Sequence, residues 1–165
     1  LKGESGNYKL INLLPQYINI SDPRILFSFA SGKHERLYKL LDNREYDKIN
    51  IVIPEGDSPR EQLSSMAANF ALRKYNNAII HKIQENDIRN TLIQLTKDYY
   101  TYFLINNFPF EIALTGSKYQ TISAAIFCSV FKVSQCWYVQ PEKWDVDRFS
   151  QGAKEIVFFK ASYEN

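Results

Sequence analysis

Two short stretches of this chain combine residue types that hold negative charge: Ser31-Gly32-Lys33 and Thr115-Gly116-Ser117-Lys118. Glycine lets a ligand come close to the backbone. Free amides at a helix start favour an anion, and a lysine adds a full positive charge. Small residues are common at any strand-to-helix turn, so either stretch alone reads as simple turn chemistry. Their weight comes from occurring as a pair. Neither has the GxxxxGK[ST] spacing of a P-loop or the GxGxxG spacing of a dinucleotide fingerprint. NAD and FAD are therefore unsupported, and no cofactor is expected.

The elements that must position these turns are legible as an alternation. Arg24 to Ala30 is a nearly continuous apolar run, as a strand buried on both faces should be. The first turn follows, then a short helix over Glu35–Leu41. Lys48–Ile53 is the second strand, stopped by Pro54. Ser58, Pro59 and Glu61 form a capping-box start for a helix to about Tyr75. Its expected inner face is Leu63, Met66, Ala67, Phe70 and Ala71. Ala78–Ile83 is the third strand. A long helix then runs from Asn86 or Asp87 to about Asn106, with Ile88, Leu92, Leu95, Tyr99, Tyr102 and Phe103 inward. Phe110–Thr115 is the fourth strand. The second turn opens a helix over Tyr119–Phe131, with Ile122, Ala125, Ile126, Ser129 and Val130 inward. Gln135–Val139 is the fifth strand, Pro141–Gly152 a loop, and Lys154–Lys160 the last strand.

Strands alternating with helices imply parallel pairing and right-handed crossovers. The expected fold is α/β: a Rossmann-like, doubly wound, mostly parallel six-stranded sheet with helices on both faces. The connection from Gln140 to Ala153 is short and broken by Pro141 and Gly152, so the last strand is allowed to run antiparallel at an edge. In the order 3-2-1-4-5-6 the first and fourth strands meet at the reversal of the sheet, and the two lysine turns face each other there. Residues 1–23 read as an N-terminal arm or short peripheral element, and residues 24–165 as the ligand-binding domain.

Composition narrows the function classes. A length of 165 residues suits one core, and 45% hydrophobic residues suffice to build it. A net charge of +2 leaves no general footprint for duplex nucleic acid, although a local basic pocket is allowed. No apolar run approaches the roughly 20 residues of a membrane span, and no secretory signal opens the chain. Cys128 and Cys136 read as small buried thiols rather than a disulfide framework, which suits a reducing, cytoplasmic setting. No His/Cys/Asp/Glu cluster has metal-ligand spacing.

Other candidates are weighed against plainer readings. His34 could contact phosphate, but a solvated loop residue is the simpler reading. His81 lies in a strand and reads as structural. Glu55-Gly56-Asp57 could hold ribose hydroxyls, and reads more simply as a loop and helix cap. Arg60 is a weak crevice candidate. Tyr99, Tyr102 and Phe103 read as core, as do Trp137 and Tyr138. Trp144, with Asp145, Asp147 and Arg148, lies in a loop that could cover a ligand, and burial beneath that loop is the preferred reading.

The segment Phe110-Glu-Ile-Ala-Leu-Thr-Gly-Ser-Lys-Tyr-Gln-Thr-Ile-Ser-Ala-Ala125 resembles the fourth strand and following helix of CARF domains, the CRISPR-associated Rossmann-fold sensors. That family shows Thr-Gly-Gly-Thr-Lys after the strand. Thr115, Gly116 and Lys118 match, and Ser117 alone replaces the second glycine and threonine. The resemblance covers most of the chain in element order and about six residues in motif. It implies a homodimeric sensor of a cyclic oligoadenylate in antiviral defence, with a fused or separate effector. Lys118 would contact ligand phosphate or ribose, Thr115, Gly116 and Ser117 would form its loop, and Ser31, Gly32 and Lys33 would line the opposite wall. Some relatives slowly cleave the ligand without metal, as ring nucleases, by attack of the ring's own 2′-hydroxyl. Whether this chain is an enzyme stays open, and no catalytic residue is assigned. Two other readings stay open: a small Rossmann-like enzyme acting on a phosphorylated metabolite or nucleotide, and a ligand-free interaction domain of a larger defence protein.

Overall fold

The computed structural model describes residues 4–14 and 23–144. The chain divides into two compact units, Tyr8–Gln140 and a second one made of Leu1–Asn7 with Pro141–Asn165. Of the second, residues 4–7 and 141–144 are described, as the outer ends of two strands. Lys154–Lys160, expected as the last strand, and Asp145, Asp147 and Arg148 lie outside the described residues.

The elements run β1 (Glu4–Asn12), β2 (Ile25–Phe29), α1 (His34–Asn43), β3 (Lys48–Pro54), α2 (Pro59–Lys74), β4 (Ala78–Ile83), α3 (Ile88–Tyr99), β5 (Phe110–Leu114), α4 (Lys118–Val130) and β6 (Gln135–Trp144). The fold is mixed α/β. Its six strands are ordered β1-β6-β5-β2-β3-β4. Four neighbour pairs, β6 with β5, β5 with β2, β2 with β3 and β3 with β4, are parallel. The remaining pair, β1 with β6, is antiparallel. The stretch read as an N-terminal arm thus supplies an edge strand. Its end is tied to β6 by the Leu13 N–H to Cys136 carbonyl bond at 2.8 Å.

Side chains on the parallel strands alternate between two cores, as the period-2 pleat requires. Leu26, Ile49, Ile51, Ile53 and Ala113 face one core, shared with Leu37, Leu40 and Leu41 of α1 and Ala67, Ala68 and Ala71 of α2. Phe27, Phe29, Val52, Phe110 and Ile112 face the other, shared with Leu95 and Tyr99 of α3 and Ala124 and Phe127 of α4. Helices therefore cover both faces. No helix among the described residues is long and apolar enough to cross a membrane.

Two expected helix faces need correction. In α2 the alanines are buried, whereas Leu63, Met66 and Phe70 are about half exposed or more. The small side chains let α2 sit close to the sheet, and the large ones point outward. In α4 the buried residues are Gln120, Ser123, Ala124 and Phe127, and Val130 is exposed. The apolar spacing there fits two adjacent stripes, and packing against Tyr99 and Phe110 selects the one carrying Phe127. The long third helix is also not uniform. After Tyr99 it widens into a π-helical stretch, Tyr100–Ile105, which propensity does not reveal. Strand β6 runs through Pro141 to Trp144, further than the expected loop start.

Candidate functional site

Chain order reverses between β2 and β5, which are hydrogen-bonded neighbours with Ile25, Leu26 and Phe27 paired to Phe110, Glu111 and Ile112. Both lysine turns leave the carboxyl ends of these strands. In the first, the Lys33 N–H donates to Ser31 Oγ at 3.2 Å. Lys33 itself is the N-cap residue of α1, and no side chain caps that helix. A Cβ on Gly32 would meet only Leu63, at 3.7 Å, an ordinary contact. Neither packing nor backbone conformation demands glycine there, so its effect is to leave the backbone uncovered. Ser31, Gly32 and Lys33 are all half-buried.

The second turn is built differently. Thr115 Oγ1 donates to the Phe29 carbonyl at 2.6 Å and accepts from the Phe29 N–H at 3.2 Å. One hydroxyl thereby ties the exit of β5 to the exit of β2. A Cβ on Gly116 would lie 2.6 Å from Phe29 Cβ and would run into the Gln120 amide oxygen. Here glycine is dictated by close packing. Ser117 caps α4: its Oγ accepts from the Gln120 N–H at 3.3 Å, and Gln120 Oε1 accepts from the Ser117 N–H at 2.8 Å. This reciprocal capping box satisfies two of the amides that an anion would otherwise use. Ser117 and Gln120 are buried, and Lys118 is exposed at the first position of α4.

The structure thus brings the two turns side by side at one end of the sheet, joined through Thr115 and Phe29. Thr115, Gly116 and Ser117 spend their capacity on the corner itself, which leaves Lys118 and the first turn as the groups able to meet a ligand. His34 flanks this place, with Nε2 3.7 Å from Glu35 Oε1 and its ring 5.2 Å from that of Tyr38. Glu55-Gly56-Asp57 is the loop leading into α2, whose N-cap is Ser58, and the Asp57 carbonyl accepts from Gln62 Nε2 at 3.2 Å. Gly56 has φ +146°, and the Glu61 carboxylate accepts from the Ser58 N–H at 2.6 Å. Its hydrogen bonds from Ser58 hold that carboxyl below its usual range. The side chains of Arg60 and Trp144 lie outside the described set. Among the described residues, no group of three or more His, Cys, Asp or Glu is placed to hold a metal.

Two polar clusters escaped the sequence reading. Glu111 is fully buried in β5 and accepts from Arg44 Nη2 at 3.1 Å, Tyr46 OH at 3.1 Å and Trp137 Nε1 at 2.6 Å. The Arg44 guanidinium lies 4.4 Å over the Trp137 ring. Burial, and then the Glu111 charge, push the Tyr46 phenol up. A buried charge needs such a set of partners. The signal was present as one glutamate inside an otherwise apolar strand. This cluster sits at the amino ends of the strands, away from the lysine turns. A cleft of about 610 Å³ opens there, lined by Asp42, Arg44, Tyr46, Lys74 and Tyr75 among others.

The second cluster lies between β3, β4 and α3. His81 Nε2 is 3.4 Å from Asn50 Oδ1 and 3.7 Å from Asp98 Oδ2, and Gln94 Nε2 donates to Asp98 Oδ1 at 2.9 Å. Burial pushes the Asp98 carboxyl up to about 6 and lowers the His81 imidazole. Nothing in the local sequence pairs residues so far apart; the register of β3 with β4 does. No family model matches this chain, and no curated protein matches it.

Proposed function

We propose that this chain is a Rossmann-type sensor domain, similar to CARF domains, that binds a cyclic oligoadenylate at a dimer interface in antiviral defence. One observation carries the reading: the Thr115 hydroxyl bonded to both polar groups of Phe29 sets two glycine-and-lysine corners against each other where strand order reverses. The order β4-β3-β2-β5-β6 with helices on both faces supports a doubly wound sheet. In such sheets ligands bind outside the carboxyl ends of the strands at the reversal.

Lys118 and Lys33 supply charge to the ligand phosphates, and the start of α1, which no side chain caps, presents the positive end of its helix dipole. Thr115, Gly116 and Ser117 hold Lys118 in place, while Ser31 and Gly32 line the opposite wall. A ring bound here in an in-line geometry can cleave itself slowly. Its 2′-hydroxyl loses its proton to water and attacks the adjacent phosphorus, the 5′ oxygen leaves and takes a proton from water, a 2′,3′-cyclic phosphate forms, and the lysines stabilise the added charge.

A thermal-shift panel of cyclic and linear oligoadenylates tests this. A ligand at 100 times its Kd adds about 2.7 kcal/mol, a rise of roughly 5 to 10 °C for a chain of this size. Lys118→Ala and Lys33→Ala should each abolish most of that rise without lowering the melting temperature of the free protein. A flat response across the panel overturns the sensor reading.

A further inference from the structure

We infer that Asn50, His81 and Asp98 form a binding site for one first-row divalent metal ion, of which Zn2+ is the type, beside the edge strand β4. The inference is independent of the proposed ligand. The three residues meet through the fold. His81 pairs with Val52 in the parallel register of β4 with β3, and Asn50 precedes Val52 by two residues. The pleat therefore puts the Asn50 and His81 side chains on one face of the sheet. Val52 belongs to the core that α3 covers, and α3 brings Asp98 to the same face.

Two oxygens converge there on one nitrogen. His81 Nε2 lies 3.4 Å from Asn50 Oδ1 and 3.7 Å from Asp98 Oδ2. As hydrogen bonds these contacts are poor, since the first is long and the second is out of range. As edges of a coordination shell they fit. Two donors that each sit about 2.1 Å from an ion, at the tetrahedral angle, lie about 3.4 Å apart. A small inward movement of the carboxylate brings the longer edge to that value.

The surroundings favour a cation. Asp98 Oδ2 is buried and accepts no hydrogen bond, an expensive state for a carboxylate oxygen. Asp98 Oδ1 accepts from Gln94 Nε2 at 2.9 Å, which fixes the carboxylate from behind as outer partners of metal ligands do. Burial, and then the Lys97 charge, lower the His81 imidazole and favour the neutral nitrogen that a metal requires. Asn50 and Asp98 are buried, whereas the His81 side chain is 22% exposed on the last strand of the sheet, so an ion can enter from that edge. One imidazole nitrogen with one carboxylate and one amide oxygen suits Zn2+ or Co2+ rather than Ca2+ or Mg2+, which take oxygen alone. Three protein donors leave the fourth position to water. Groups built from His, Cys, Asp and Glu alone do not include this site, because its third donor is an amide. The bound ion ties β3, β4 and α3 together.

The test titrates ZnCl2 into the full chain, freed of metal with EDTA and dialysed to pH 7.5, and reads binding by calorimetry. CoCl2 replaces it for visible absorption. One ion should bind per chain. The Co2+ form should show the strong visible bands of a four-coordinate ion without sulfur-to-metal charge transfer, which separates this site from Cys128 and Cys136. Gln94→Leu removes only the hydrogen bond behind Asp98 and should weaken binding about 10-fold, while His81→Ala and the shape-conserving Asp98→Asn should each weaken it about 100-fold or more. His34→Ala should change nothing, although His34 also lies beside a carboxylate, that of Glu35. Absence of binding to the wild type overturns the proposal. So does binding that survives Asp98→Asn and His81→Ala, binding lost in His34→Ala, or a Co2+ spectrum with sulfur charge transfer.

Discussion

The turns after β2 and β5 contain nearly the same residues, yet they are built to different ends. In Ser31-Gly32-Lys33 the serine comes first, bonds the Lys33 amide and leaves lysine at the N-cap. In Gly116-Ser117-Lys118 the order is inverted, so serine lands on the N-cap and lysine on the first helical position. Swapping two adjacent residues therefore decides whether a helix start caps itself or stays open. The second corner is closed by its own side chains and works as a bracket. The first is open, half-buried and free of any packing demand for its glycine. The comparison teaches that the corner after β5 is a scaffold, whereas no side chain caps the helix at the corner after β2.

Substitution of the two glycines should separate the corners most sharply. Gly116→Ala forces a Cβ into Phe29 and Gln120, and the loss of stability should be about 3 kcal/mol or more by denaturant titration. Gly32→Ala meets an ordinary contact and should change stability by less than about 0.5 kcal/mol. Equal effects at the two sites would break the comparison.

A second test uses pH at a site away from both corners, Asp98. Burial raises its carboxyl to about 6 in the folded chain. The folded state therefore holds that proton more tightly than the unfolded state does. Stability is full below the ordinary carboxylate value and falls as pH rises towards about 6. Asp98→Asn removes this loss. It should be near-neutral at pH 3.5 and stabilise by up to about 3 kcal/mol at pH 7.5. Parallel denaturant curves at the two pH values check this. A variant less stable than wild type at pH 7.5 would refute the assignment, and a glycine contrast that shifts with pH would implicate a titrating corner.

Thr115→Val tests the bracket itself. It keeps the shape and removes the hydroxyl, leaving the buried Phe29 N–H and carbonyl without that partner. A cost of about 2 kcal/mol is expected. At the small end, Ser117→Ala removes a capping box and should cost about 1 kcal/mol, while Ser31→Ala should cost only a few tenths. If Ser31→Ala proves the more damaging, the roles given to the two corners are reversed.

Much of the fold was legible because its signals are local. The apolar runs of β2 and β3 and the Ser58-Pro59-Glu61 start of α2 act within a few residues. The meeting of the two lysine turns needed one further assumption, the doubly wound strand order 3-2-1-4-5-6, and β2 does lie beside β5. What stayed hidden depended on contacts across the sheet. The outward face of α2 could not be read from its spacing, since Leu63, Met66 and Phe70 form as good a stripe as the alanines. Glu111 showed only as an anomaly until Arg44, Tyr46 and Trp137 were placed around it.

By itself the sequence determined where the strands and helices between Arg24 and Val139 lie and that a glycine-and-lysine turn follows each of two strands, because capping, turn chemistry and periodicity are properties of short segments. Only the tertiary structure decided that Gly116 serves packing and that Thr115 bonds to Phe29 across 86 residues. Those outcomes depend on strand register and on which helix stripe packs inward, and both are chosen by the sum of contacts over the whole sheet.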